Sequence, residues 1–264
     1  MPIITISRGS YSHAKSIAEK LAEKLGYTCL SRDSIVDSLE EFHLPEIKLM
    51  RDLNDAFSIL DRFPHGKKRF KTTIKSVLLH HFVRGNVVYH GLVGHHFVRN
   101  ISHVLKVRII ADTDERIRAE MAREKIDEKQ ARYMLKKDDD ERRKWGMFLY
   151  GIDIVNPEDY NLTLRIGHLS EDEAVDIIAN AAEFPSFQET TQSKMLLADS
   201  AMTALVAKKL FDFPNASVVV ESGRVAISLK VPDDQQQLIR DRIGEMLETV
   251  DGVKDYSVQF ETYF

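Results

Sequence analysis

The sequence predicts an α/β protein, a parallel sheet with helices on both faces, followed by a smaller α+β unit. Two observations lead there. Over the first part of the chain, short β-branched runs at 3–6, 87–89, 104–111 and 162–166 alternate with helical stretches, the order of a parallel sheet crossed by helices. These runs are largely apolar, as strands buried on both faces must be. Beyond Phe184-Pro185-Ser186-Phe187 the pattern changes to one helix, two alternating strands, a helix and a last strand. The boundaries read as 1–185 for the first unit and 190–264 for the second, with no internal repeat between them.

The elements follow in order. Ile3-Ile4-Thr5-Ile6 is the first strand, and a Gly/Ser-containing turn covers 7–12. Ile17, Ala18, Leu21, Ala22 and Leu25 then recur at three- and four-residue spacing, an amphipathic helix that Gly26 ends. Helical stretches cover about 32–42, 45–63 and 68–84, and the strand at 87–89 follows Gly85. After the strand at 104–111, Asp112-Thr113-Asp114-Glu115 opens a helix in a capping-box-like pattern. A charged helical region runs from 127 to about 149. Ser170-Glu171-Asp172-Glu173 caps the helix at 174–182. The second unit comprises a helix over 193–211, strands at 217–220 and 225–231, a helix over 233–250 and a strand at 253–260.

Composition limits the function classes. The 264 residues are 43% hydrophobic and 30% charged, which excludes collagen, low-complexity disorder and a disulfide scaffold. The single cysteine, Cys29, cannot form an internal bridge and excludes a cysteine zinc cluster or an iron–sulfur site. The N-terminus has neither the basic start nor the long apolar run of a signal peptide, and no stretch reaches the roughly 18 apolar residues of a membrane span. A cytoplasmic protein without integral membrane association is expected. Residues 186–264 carry eight Lys/Arg and twelve Asp/Glu, the whole of the net charge of −4. That argues against a nucleic-acid partner. The one basic run, Lys67-Lys68-Arg69 with Lys71, reads as a solvated loop and helix start.

The most informative segment is Gly9-Ser10-Tyr11-Ser12-His13-Ala14-Lys15-Ser16, which follows a strand and opens a helix. A phosphate-binding loop needs that context, because main-chain N–H groups and the helix N-terminus then face an anion. Lys15 would reach the β and γ phosphates and Ser16 would hold Mg²⁺. The spacing fits Gly-x4-Gly-Lys-Ser/Thr, with Ala14 in place of the second glycine. The alternative is an ordinary strand–turn–helix with Lys15 and Ser16 exposed.

At this point the chain resembles the cytidylate-kinase-like proteins of the P-loop nucleoside-monophosphate kinases. The resemblance rests on Ile4-Thr5-Ile6-Ser7-Arg8, the loop, residues 17–27 with Arg32-Asp33, Val87-Val88-Tyr89-His90-Gly91, residues 107–111 with Glu115-Arg116, and Asp139-Asp140-Glu141-Arg142, and it covers about 1–183. It implies ATP and Mg²⁺ as cofactors and phosphoryl transfer to a nucleoside monophosphate or another small acceptor. Lys15 and Ser16 match the loop's lysine and hydroxyl. Arg142, beside Arg143, falls where a mobile lid supplies an arginine to the transferring phosphoryl group, and Asp139 would orient it or contact the acceptor. Arg8, Asp33 and His90 are the substrate-side candidates. His90-Gly91 stands where the family has Gly-Arg, and no Asp ends that strand. The alternative is therefore a nucleotide-binding sensor weak in catalysis or without it.

His90, His95 and His96 read as structural or phosphate-facing rather than as metal ligands, and Trp145 and Tyr150 as packing residues. Residues 193–261 resemble the small BON domain through Ser217-Val218-Val219-Val220, residues 223–229 and residues 250–258. That resemblance implies a module that engages a protein or small-ligand partner.

Overall fold

The structure is a computed structural model that describes residues 2–9, 11–31, 34–35, 65–91 and 93–261. The helical stretches expected over 32–42 and 45–63 lie outside the described residues, apart from Ser34 and Ile35.

Strands β1 (Ile3–Arg8), β2 (Thr28–Ser31), β3 (Val87–His90), β4 (Val104–Ala111) and β5 (Leu162–Ile166) form a five-stranded sheet in the order β2-β3-β1-β4-β5. All neighbours are parallel. In β1, at the centre, Ile4 sits beside Val88 and Leu105, and all three are fully buried. The β2 strand is absent from the sequence expectation. Its four residues carry only Cys29 and Leu30 as apolar signal, and the strand is held mainly by its pairing with β3.

Alternate residues of β1 serve opposite faces, the period-two rule of a strand. On one face, helices α1 (Tyr11–Leu25) and α6 (Glu171–Ala182) pack together. Ala14, Ile17, Ala18 and Leu21 join Ala174, Val175, Ile178, Ile4 and Ile6 in one apolar cluster. On the other face α2 (Gly66–Val83) buries Leu78, Leu79 and Phe82 with Ile3, Val87 and Tyr89. The short α3 (Gly94–Phe97) follows β3, α4 (Thr113–Glu124) follows β4, and α5 (Glu128–Tyr150) carries the long charged region.

Three helix starts among the described residues are reciprocally capped, Asp127 with Gln130, Ser170 with Glu173 and Thr190 with Ser193. The start at Asp112 is not. Its side chain makes no cap hydrogen bond and instead accepts from Arg165 Nε on β5 at 2.8 Å. A full opposite charge on the neighbouring strand outcompetes a neutral amide.

The second unit has the expected α-β-β-α-β order: α7 (Thr191–Lys209), β6 (Ser217–Glu221), β7 (Arg224–Lys230), α8 (Gln236–Glu248) and β8 (Asp255–Glu261). Its sheet runs β6-β7-β8, the first pair antiparallel and the second parallel. Val206, Leu210, Val225, Ile227, Ile243 and Leu247 are among its core.

Helix α7 belongs to both units. Its Leu197 and Ala204 lie in the α2 cluster, while its Val206 lies in the second core. A buried contact between His103 Nδ1 and Ser193 Oγ at 2.7 Å fixes its first turn. The basic run lies along this seam and is not merely solvated. Lys67 and Lys71 sit over the rings of Phe148 and Tyr150 at 4.4 and 5.2 Å. Arg69 lies over Phe211 at 5.1 Å, and Lys68 Nζ donates to the Pro214 carbonyl at 2.6 Å. Each cation–ring contact contributes about 0.5–1 kcal/mol.

Candidate functional site at the carboxyl edge of the sheet

Because all five strands are parallel, their carboxyl ends share one edge. Arg8, Ser31, His90, Ala111 and Ile166 end them. The chain leaves β1 toward β2 on one side and β4 toward β5 on the other. In open α/β sheets the crevice at such a divergence is where ligands bind.

The first turn after β1 lies tight against the sheet. Gly9 N donates to the Ile109 carbonyl at 2.7 Å, extending the β1–β4 ladder. A Cβ on Gly9 would stand 3.0 Å from Ile110 Cγ2 and 3.3 Å from the Ile109 oxygen. The glycine thus lets the chain approach β4. Helix α1 begins at Tyr11, so Lys15 and Ser16 lie in its second turn rather than at its mouth. Lys15 Nζ reaches 3.7 Å from Glu19 Oε1, toward the far end of the helix, with half of the side chain in solvent. Ala14 is fully buried in the α1–α6 core. Ser10 and Asp33 lie outside the described residues, as do the side chains of Tyr11 and Ser12.

Ser16 faces α6. Its hydroxyl donates to Glu171 Oε2 at 2.5 Å, while His13 Nδ1 lies 2.8 Å from Glu171 Oε1. His13, Ser16, Lys20 and Lys24 form one stripe of α1, which meets Glu171, Asp172 and Asp176 of α6. Lys20 Nζ is 2.7 Å from Asp172, and Lys24 Nζ 2.5 Å from Asp176. Burial alone would raise the Glu171 pKa, but the hydrogen bonds from Ser16, His13 and Lys20 outweigh it and hold the carboxyl below its ordinary value. The N-terminus of α6 favours the same charge. Sequence reasoning assigned Glu171 only to the helix cap. The signal it passed over was the match between a basic stripe on one helix and acidic residues on another.

Asp139 and Arg142 come together with Arg116. Asp139 accepts from Arg116 Nη1 and Nη2 at 2.8 Å each, and from Arg142 Nη2 at 2.5 Å. Arg142 is buried, and Arg116 Nε is buried without a hydrogen-bond partner among the described residues. Burial would raise the Asp139 pKa, yet the two guanidinium groups hold it below the usual carboxylate value. Arg143 turns away and pairs with Asp153 at 2.5 Å. His90 is buried at the end of β3. His95 packs on Tyr160 with ring centroids 4.7 Å apart, and His96 on Tyr150 at 5.3 Å. Burial pushes both histidines down to about 4. The Tyr160 hydroxyl spans Ser7 Oγ and the Ile154 carbonyl at 3.0 and 2.8 Å. Trp145 is buried against Phe70, as expected of a packing residue.

A five-stranded parallel sheet flanked by helices, with two arginines gathered on Asp139, makes this unit an α/β domain. The chain belongs to the cytidylate kinase-like family, whose model matches residues 3–168. The fold is shared with an uncharacterized protein from Eubacterium ventriosum at a TM-score of 0.55 and 19% identity, over 69% of this chain and 99% of that one. Shikimate kinase from Bacteroides thetaiotaomicron (13% identity, 69% and 99% covered, TM-score 0.42) and dephospho-CoA kinase from Campylobacter jejuni (16%, 69% and 97%, 0.35) are fainter likenesses. Among curated proteins none matches the chain significantly.

The family implies use of ATP and usually of Mg²⁺. In this arrangement the Lys15 ammonium lies toward Glu19 and the Ser16 hydroxyl toward Glu171. Arg116 and Arg142, by contrast, suit phosphate oxygens, since a guanidinium keeps further N–H donors after pairing with a carboxylate.

Proposed function

We propose that the first unit binds a nucleotide at the carboxyl edge through Arg116 and Arg142, and that it serves as a nucleotide-responsive module whose α+β unit engages a partner or ligand. The observation that carries this reading is the division of the charged groups. Asp139 holds the two arginines together at this edge, while the Ser16 hydroxyl is given to Glu171. Asp139 fixes the guanidinium planes before a ligand arrives and reduces the entropy lost on binding.

A nucleoside monophosphate is the first ligand to test, in keeping with the family. Calorimetric titration of the full chain with CMP and with ATP, with and without Mg²⁺, is expected to show binding. Incubation with ATP and a panel of monophosphates separates this reading from phosphoryl transfer: no transfer favours the responsive module, transfer the phosphotransferase. Phosphoryl transfer is the second reading, supported by the family match and by Arg142 at the lid position. On that reading Lys15→Ala abolishes turnover in a folded protein. Absence of binding by every nucleotide overturns both.

A further inference from the structure

A pocket of about 270 Å³ opens on the seam between the two units, lined by His65, Lys68 and Arg69 at the start of α2, and by Leu210, Phe211 and Phe213 at the end of α7. Its chemistry is that of a site for an anion with an apolar body. Its apolar lining includes the two phenylalanines and the leucine. Its cations are Lys68, which uses one of its three N–H donors on Pro214, and Arg69, whose guanidinium lies over Phe211 at 5.1 Å. The acidic lining residue, Asp212, is occupied by Arg242 at 2.6 Å and so does not cancel them.

The local helix chemistry is otherwise unfavourable. The α2 N-cap, His65, makes no side-chain cap hydrogen bond, and no acidic residue stands in a first turn that carries Lys67, Lys68 and Arg69. Cations there oppose the helix dipole. A bound anion offsets this, and a phosphate monoester accepts from several N–H donors at once.

We infer that this pocket binds a small phosphate monoester with a single-ring body, and that the ligand bridges α2 to the segment after α7. The site is independent of the carboxyl-edge reading. Titration of the full chain with phenyl phosphate tests it, with phenol and inorganic phosphate as comparators. Phenyl phosphate is expected to bind more tightly than either. Arg69→Gln and the more exposed Lys68→Gln should each weaken it about tenfold or more, the effect of losing one charge-assisted hydrogen bond. Arg142→Gln, which alters only the carboxyl edge, should leave it unchanged. Equal binding of phenyl phosphate and phenol, undiminished binding in folded Lys68→Gln, or loss of binding in Arg142→Gln would overturn the inference.

Discussion

At Ser16 the hydroxyl hydrogen already goes to Glu171, and at Lys15 the ammonium lies by Glu19. Glu171→Gln removes the charge that gathers His13, Ser16 and Lys20. Since the carboxylate is partly solvated, the variant should lose only about 1 kcal/mol in urea unfolding. The pH dependence follows from the same residues and from His95. Depressed carboxylates such as Glu171 and Asp139 stabilise the fold above their unfolded pKa, near 4, and that contribution fades as pH falls through their lower folded values. His95, ordinarily 6.5 and here about 4, acts earlier. The unfolded chain takes up its proton first, so stability should fall between about pH 6.5 and 4, by up to about 1.4 kcal/mol per pH unit for each such histidine. Urea midpoints measured across that window should flatten in His95→Phe; an unchanged slope would show that the ring titrates normally. The Gly-Lys-Ser spacing was legible in the sequence, but spacing does not fix where a helix begins. Starting α1 at Tyr11 places Lys15 and Ser16 in its second turn.

Helices α4 and α5 are joined at Asp139, and the consequences belong to the element. Asp139→Asn keeps the shape but leaves Arg116 and Arg142 to repel each other. Nucleotide affinity should fall about tenfold, read by calorimetry, with the far-ultraviolet helix signal preserved. The capping box at Asp127 is separable from the site: Asp127→Ala should cost about 1 kcal/mol of stability and leave affinity intact. Most elements were readable because strands buried on both faces are continuous apolar runs and helices repeat at three and four. The β2 strand was not, since four residues with Thr28 exposed carry no periodicity. Nor was the destination of Asp112, because its partner Arg165 lies on another strand.

Across the whole molecule, α7 makes the two units interdependent. Leu197 belongs to the α2 cluster, so Leu197→Ala should cost about 2–5 kcal/mol, the usual range for a buried leucine. Both units should then melt earlier in one transition rather than separately. The α-β-β-α-β order was plain from the alternating strands, but the sharing of α7 was hidden: Leu197 and Ala204 face one core and Val206 the other, leaving no single apolar stripe to assign. The basic run was opaque for a related reason, its rings being supplied by Phe148, Tyr150 and Phe211, far along the chain.

The central claim is that phosphate is held by the arginines of α4 and α5 and not by the lysine of α1. Titration of CMP into the wild-type chain, Arg142→Gln and Lys15→Ala measures it directly. The account predicts affinity about tenfold or more weaker in Arg142→Gln and within about twofold of wild type in Lys15→Ala. Full affinity in Arg142→Gln together with none in a folded Lys15→Ala would contradict it.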